Sequence, residues 1–323
     1  MQAIVVDGDN LHWREVEEPR LGVGEVRIGV HASAVNRADL AQRAGGYPPP
    51  AGASEILGLE CAGEVLEIGE GVGRVAVNDR VCALLAGGGY AEQVVVPAGQ
   101  VLPIPGNCSM LEAAALPEVF ATAFLNLYME ASLQPAERVV LHAGASGVGT
   151  AAIQLCQATH NPCFVTAGSA AKIDQCLALG ADAGWDRHSG SFRDKVLQWS
   201  QGEGVDVILD PVGAGYFADN LACLATDGRL IIIGAMGGIE TTVNLGLMMM
   251  KRLRVVGSTL RARPVAAKAA IMDRLQAEVW PLLAQGKIKP VVEEIVPIAE
   301  AERAHALIAG DGTFGKVVLQ IVQ

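Results

Sequence analysis

The sequence predicts a two-domain α/β protein, in which a doubly wound parallel sheet is joined to a smaller, β-rich unit. Three observations lead there. From Arg138 onward, short apolar runs alternate regularly with amphipathic helical segments. Roughly the first 118 residues instead string together Val/Ile-rich runs bounded by Gly, Pro, Asp and Asn. The chain, with 323 residues, 51% of them hydrophobic, 38 glycines and few aromatics, is long enough for two tightly turned cores of Ala, Val, Leu and Ile.

In the first part, "QAIVVDG", "EVRIGVHASAV", "CAGEVLEIG", "DRVCALL" and "YAEQVVV" read as strands, and their glycine punctuation predicts a small, strongly coiled barrel. The pattern changes at "SMLEAAALPEVFATAFLNLYME". There Ser109 and Glu112 form a capping box, an apolar helical period follows, and Pro117 breaks it so that a second helix starts just beyond. Parallel strands are predicted at Val139–His142, Cys163–Ala167, Ala183–Asp186, Val205–Asp210, Leu230–Gly234 and Val255–Thr259, with helices between them. The helix beginning near Ser169 ends at Gly180. After Pro264 the spacing predicts one long amphipathic helix to about Ala284, then "KPVVEEIVPI", a short helix and "GKVVLQIV". Those last strands do not continue the alternation and are assigned back to the first unit. The predicted domains are therefore 1–120 completed by 263–323, and 121–262.

A formal net charge of −11 without any block of like charges argues against a nucleic-acid partner or an anionic-membrane surface. The opening "MQAIVVDGDNLHW" has no basic segment followed by an apolar one, and no stretch of about 20 uninterrupted apolar residues occurs. A cytoplasmic protein is expected. Seven dispersed cysteines without a C-x-x-C pair read as reduced core thiols.

The stretch "VVLHAGASGVGTAAIQL" runs strand, tight turn, helix, the order in which a helix N-terminus receives a dinucleotide pyrophosphate. Its G-x-G-x-x-G spacing falls on Gly144, Ser146 and Gly149, with Gly147 beside the substituted serine. The competing reading is a turn kept small for packing alone. The next strand leads into "TAGSAAK", where Gly168, Ser169 and Lys172 stand in place of the carboxylate that NAD-preferring folds set against the ribose 2′-hydroxyl. A hydroxyl and an ammonium at a helix start suit a 2′-phosphate, so NADPH is the expected cofactor. A solvated helix lysine is the alternative for Lys172.

Taken together, "NRADLAQRAGGYPPPAGASEILGLECAGEV", "LPIPGNCSMLEAAALPE", "HAGASGVGTAAIQL", "VTAGSAAK", "DGRLIIIG" and "GKVVL" make the chain resemble a medium-chain dehydrogenase/reductase. It is most similar to the zinc-independent NADPH:quinone oxidoreductase branch, with the p53-inducible-type and zeta-crystallin-like enzymes. The resemblance implies a chaperonin-10-like catalytic barrel completed by the C-terminal strands, a Rossmann cofactor domain, and an active site in the cleft between them. It also implies a homodimer, or a dimer of dimers, built through the edge strand "RVVGSTL".

Against the zinc enzymes of that superfamily, Asn36 stands where they place a cysteine, and Leu59-Glu60 where they place a His-Glu pair. Neither an amide nor a leucine supplies the thiolate and imidazole that Zn²⁺ prefers, and the six histidines show no ligand spacing, so no metal is expected. Without a Lewis acid the accessible chemistry is hydride delivery to an already electrophilic acceptor, a quinone or another conjugated carbonyl. For cofactor contacts the resemblance adds Thr122, Val148, Arg187, Gly234, Met236, Ser258, Leu260, Arg261 and Lys316. A core methionine is the rival reading for Met236.

Asn36 and Tyr47 are the candidates at the acceptor: the amide to orient a carbonyl or the nicotinamide ribose, the phenol to stack on a flat ring or give a proton. A loop aromatic covering the barrel is the alternative for Tyr47. Three functions stay open: a quinone reductase, a reductase of enones, enals or enoyl thioesters, and an NADPH-binding redox sensor with little turnover.

Overall fold

The computed structural model describes residues 1–8 and 10–321. The chain divides into two compact units, Met1–Ala121 with Leu260–Gln323, and Thr122–Thr259.

In the first unit, β1 (Gln2–Asp7) and β2 (Asn10–Glu15) form an antiparallel hairpin. The second strand was not visible in the sequence, because "NLHWRE" buries only Leu11 and owes its extended form to pairing with β1. The hub is β3 (Glu25–Ala34), whose alternate residues Val26, Ile28 and Val30 point into the core. It pairs with β4 (Glu60–Ile68), which continues through β5 (Arg80–Leu84). On its other edge β3 takes β6 (Gln93–Pro97), while β7 (Val101–Pro103) extends the sheet from β5. A short helix, Arg37–Arg43, follows β3 and was also missed. Seven residues are too few to display a helical period.

The capping box at Ser109 and Glu112 forms, with the Glu112 N–H donating to Ser109 Oγ at 3.2 Å and the Ser109 N–H to the Glu112 carboxylate at 2.9 Å. Beyond it, Pro117–Phe124 is helical and runs into a π turn, Leu125–Glu130. By length and composition the run Met110–Glu130 would pass as a membrane span, yet 72% of its apolar window is buried in the fold, as in a core helix.

The second unit carries six strands, β8 (Val139–Leu141), β9 (Cys163–Ala167), β10 (Ala183–Asp186), β11 (Val205–Asp210), β12 (Leu224–Ile232) and β13 (Arg254–Gly257). All pair in parallel, in the order β10-β9-β8-β11-β12-β13, the Rossmann arrangement. The order reverses between β8 and β11, and ligands of such sheets bind beyond the carboxyl ends at that point. Some strand ends differ from expectation, and β8 stops at Leu141, one residue short of His142. β12 starts earlier, at Leu224, and ends before Gly234, while β13 stops at Gly257, so Ser258 follows it rather than lying in it.

The chain then returns. β14 (Val292–Pro297) pairs in parallel with β15 (Lys316–Gln320), which pairs antiparallel with Ala32–Ala34 of β3. Val322, the end of the last predicted strand, lies outside the described residues. The single long helix expected after Pro264 is two, Val265–Glu278 and Trp280–Ala284. Pro281 has no N–H to donate, and the chain turns at Val279 instead of continuing. All seven cysteines are buried and unpaired.

Candidate active site

Two groups of predicted residues emerge, one in each unit. In the second unit β8 leaves the sheet through Ala143, held at φ +53°. The helix Gly147–Ala158 begins four residues later, with Ser146 as its cap accepting from the Gly149 N–H at 3.0 Å. The glycines at either side are sterically required. A Cβ on Gly144 would stand 2.8 Å from Val165 Cβ, and one on Gly149 would stand 2.4 Å from the Ala143 carbonyl oxygen. Gly149 is buried and Gly144 nearly enclosed by Val165 and Cys176, whereas Ser146, Gly147 and Val148 lie on the accessible lip of a helix N-terminus. Packing thus fixes two glycines, and between them the helix N-terminus is left accessible.

At the end of β9, Ser169 caps the helix Ala170–Leu179 and accepts from the Lys172 N–H at 3.3 Å; Gly168 is partly exposed beside it. Arg187 lies in the turn after β10, within electrostatic reach of Tyr216. Tyr216, which sequence reasoning did not single out, packs its ring on His142 and Phe192 at 4.8 and 4.9 Å. Beneath these loops a buried chain of hydrogen bonds ties three strand ends together. His142 contacts Thr166 Oγ1 at 3.0 Å and Asn220 Oδ1 at 2.7 Å, and Asn220 donates to Asp210 at 2.9 Å. Burial pulls the His142 imidazole down to about 4, so it is neutral there.

Beyond β12, Gly234 is pressed against the Pro211 carbonyl, where a Cβ would come within 2.8 Å. Met236 is 55% exposed, which removes the core-methionine reading. The Ser258 N–H donates to the Ile232 carbonyl at 2.9 Å, and the Thr122 carbonyl accepts from Asn126 at 2.7 Å.

Three residues expected at the cofactor belong to the first unit. Leu260, Arg261 and Lys316 are buried in the first unit, and the two cations are committed there. Lys316 is 3% exposed and its ammonium donates to the Val35 carbonyl and to Asn36 Oδ1, both at 2.7 Å, while pairing with Glu60 at 2.8 Å. Three donors meet three acceptors, which leaves none for a cofactor. Asn36 is likewise occupied, its amide donating to Glu60 at 2.9 Å and to the Ala34 carbonyl at 3.2 Å. It therefore clamps the ion pair instead of presenting an amide N–H to a ligand.

Arg261 donates to Gln42 Oε1 at 2.7 Å and to the carbonyls of Ala86 and Tyr47 at 2.8 and 3.3 Å. Its guanidinium lies over the half-buried Tyr47 ring, 5.3 Å from the centroid. Burial, and then the charge of Glu118, push the Tyr47 phenol up. Asp39, fully buried, accepts from Asn36 N–H, Gly58 N–H and Tyr90 Oη, yet burial still lifts its carboxyl to about 6. Glu118, whose N–H donates to Glu60 at 3.0 Å, is raised to about 8 by burial and by the Glu60 charge. Neither acid carried a sequence signal beyond an ordinary helix-start carboxylate.

A family model described as "Alcohol dehydrogenase GroES-like domain" matches residues 22–106, and one described as "Zinc-binding dehydrogenase" matches 179–319. The quinone oxidoreductase-like protein 2 of Bos taurus is 30% identical over 298 residues, covering 92% of this chain and 85% of that one. The lovastatin diketide synthase of Aspergillus terreus is 34% identical over 278 residues, or 83% of this chain, but the match spans only 11% of its length. Among solved structures, the Escherichia coli quinone oxidoreductase complexed with NADPH superposes with a TM-score of 0.86 at 27% identity, over 99% of both chains. The CurK enoyl reductase gives 0.86 at 28%, over 99% of this chain and 98% of that one.

Proposed function

Because the chain belongs to the medium-chain dehydrogenase/reductase superfamily, in its quinone oxidoreductase branch, we propose that it reduces quinones with NADPH and without zinc. The observation that carries this reading is the Lys316 ammonium, held at 2.7–2.8 Å by Val35, Asn36 and Glu60. A cation already sits among the donors around which the zinc relatives are built, and a divalent ion beside it would meet repulsion and no thiolate or imidazole. Among the described residues, no group of three or more His, Cys, Asp or Glu is arranged to hold a metal.

The residues of the second unit fit a dinucleotide. Gly144 and Gly149 leave room where a Cβ would collide, the capped helix presents its N-terminus, and no carboxylate follows β9. Bound reduced nicotinamide supplies the hydride; everything else falls to the chain. Ser146, Gly147, Val148 and Gly149 hold the pyrophosphate, and Gly168, Ser169, Lys172 and Arg187 take the 2′-phosphate. Gly234, Met236, Ser258 and Thr122 line the nicotinamide half. Tyr47, kept flat against Arg261, stacks on the acceptor ring.

The test is a steady-state acceptor panel run with NADPH and NADH in parallel, with and without a chelator. Quinone turnover with NADPH, unchanged by the chelator, is the expected result. Faster reduction of enals or enoyl thioesters would favour the second reading, which the similarity to the CurK enoyl reductase supports. Tight NADPH binding with no turnover would favour a sensor.

Assembly belongs to the same proposal. β13 ends the sheet, and in the chain that leads to it Ile239, Met249 and Met250 are each more than three-quarters exposed. An apolar, open strand edge invites pairing, and a second copy of the chain covers it at the least cost in symmetry. Light scattering at micromolar concentration is expected to give twice the mass of the chain or a multiple of that; a single-chain mass contradicts the pairing.

A further inference from the structure

The reductase reading leaves the source of the second hydrogen open, and the cluster around Tyr47 supplies one. Glu118 is the second residue of the helix Pro117–Phe124, where its N–H is tied to Glu60. The residue is only partly buried, and its carboxyl makes no hydrogen bond among the described residues, unlike those of Asp39 and Glu60. Charged groups face it from every element packed there: Glu60 on β4, Lys316 on β15, Asp39 on the helix Arg37–Arg43, and Arg261 after β13. Tyr47 and Lys268 lie within its electrostatic reach.

We propose that Glu118 is the acid that completes the reduction, giving its proton to the anion left on the acceptor beside Tyr47 and Arg261. The proposal rests on the reductase reading. Hydride addition to a quinone leaves a hydroquinone monoanion, and addition to an enone leaves an enolate. The Glu118 O–H bond breaks, its proton joins the anionic oxygen or the α-carbon, and the carboxylate is recharged from water. The acceptor has then gained one hydride and one proton, and the nicotinamide has lost one hydride.

Several features favour Glu118 over the phenol. Lys316 is already neutralised by Glu60, so it offers little to hold a second carboxylate ionised. With Glu60 and Asp39 close by, Glu118 keeps its proton until about pH 8. Tyr47, pushed up from an already high value, is the poorer donor near neutrality. The phenol then positions the ring, and the carboxyl delivers the proton.

Two measurements on the full chain test this. Infrared titration of the protein without cofactor should show a protonated carboxyl band that disappears with a midpoint of about 8 and is missing from Glu118→Gln. In steady state the wild-type kcat/KM should fall above that pH. Glu118→Gln should lose about a hundredfold in kcat together with that alkaline limb, and Glu118→Asp should restore the limb. Tyr47→Leu, which removes the stacking face, should raise KM and leave the limb in place. If Glu118→Gln keeps both rate and limb, or the carboxyl titrates in the ordinary range near 4–5, Glu118 is not the donor. A wild-type protein that reduces no acceptor overturns the reductase reading itself, and the donor role with it.

Discussion

Lys316→Met is expected to destabilise the first unit by about 3–5 kcal/mol, the range for breaking a buried pair from one side. The substitution keeps most of the length and bulk of the side chain and removes the charge together with its three N–H donors. What it leaves behind sets the size of the loss. Glu60 has a fully buried side chain, and its carboxylate would retain only two neutral donors, the Asn36 amide at 2.9 Å and the Glu118 N–H at 3.0 Å. The Val35 carbonyl and Asn36 Oδ1 would each lose a charged partner as well.

Glu60→Gln alone strands the Lys316 ammonium in turn and should be costly too, although the Val35 carbonyl and Asn36 Oδ1 still accept from it. The double variant should recover a large part of the Lys316→Met loss, giving a coupling of about 1–3 kcal/mol in a cycle read by urea unfolding. By contrast, Arg252→Met breaks a pair whose side chains are both 64% exposed, and a change within about 1 kcal/mol is expected there. Equal losses at the two sites would mean that the Lys316 ammonium is solvated in a way its burial denies.

How far the sequence could be read follows from the range of each interaction. The central parallel strands β8, β9 and β11 were legible because each is a short, nearly continuous apolar run, buried on both faces between glycine or polar punctuation. The glycine loop was legible because its steric demand is local; Gly144 and Gly149 clash with atoms of the adjoining strand and turn. The strand Asn10–Glu15 was not, since its pattern is polar and its order comes from a partner. The break at Val279 could have been found, because Pro281 announces it.

The acceptor cluster is a different case. Lys316 and Asn36 are 280 residues apart in sequence, and nothing in "TFGKVVL" says that its lysine returns beneath β3. Arg261 follows β13 so closely that sequence alone groups it with the cofactor residues, while the boundary between the two units falls after Thr259. Glu118 reads as an ordinary acid favouring a helix start. Its raised pKa arises only in the fold, from burial first and then from the charge of Glu60 on β4.

Cofactor choice is where local sequence and structure can be set against each other most sharply. Ser169→Asp is expected to weaken NADPH by about one to two decades in Kd, while leaving NADH unchanged or tighter. The Ser169 oxygen accepts from the Lys172 N–H at 3.3 Å, capping the helix Ala170–Leu179, and on the proposed function its hydroxyl would also meet the 2′-phosphate. Aspartate caps a helix as well as serine does and suits the positive end of its dipole, so the fold should be indifferent to the change. Only the ligand feels it. A carboxylate repels a 2′-phosphate but accepts from a ribose 2′-hydroxyl, reversing the preference.

Lys172→Ala probes the other half of the same contact. A charge-assisted hydrogen bond is worth about 1.5–3 kcal/mol, or roughly one to two decades in affinity. That loss should fall on NADPH alone. Arg187→Ala should act in the same direction more weakly, because a guanidinium in a surface turn is screened by salt. Calorimetric titration of both nucleotides against each variant, with a melting temperature as control, reads all three. If Lys172→Ala weakens NADH as much as NADPH, or Ser169→Asp melts the protein without shifting preference, these residues shape the helix start and the 2′-phosphate is held elsewhere.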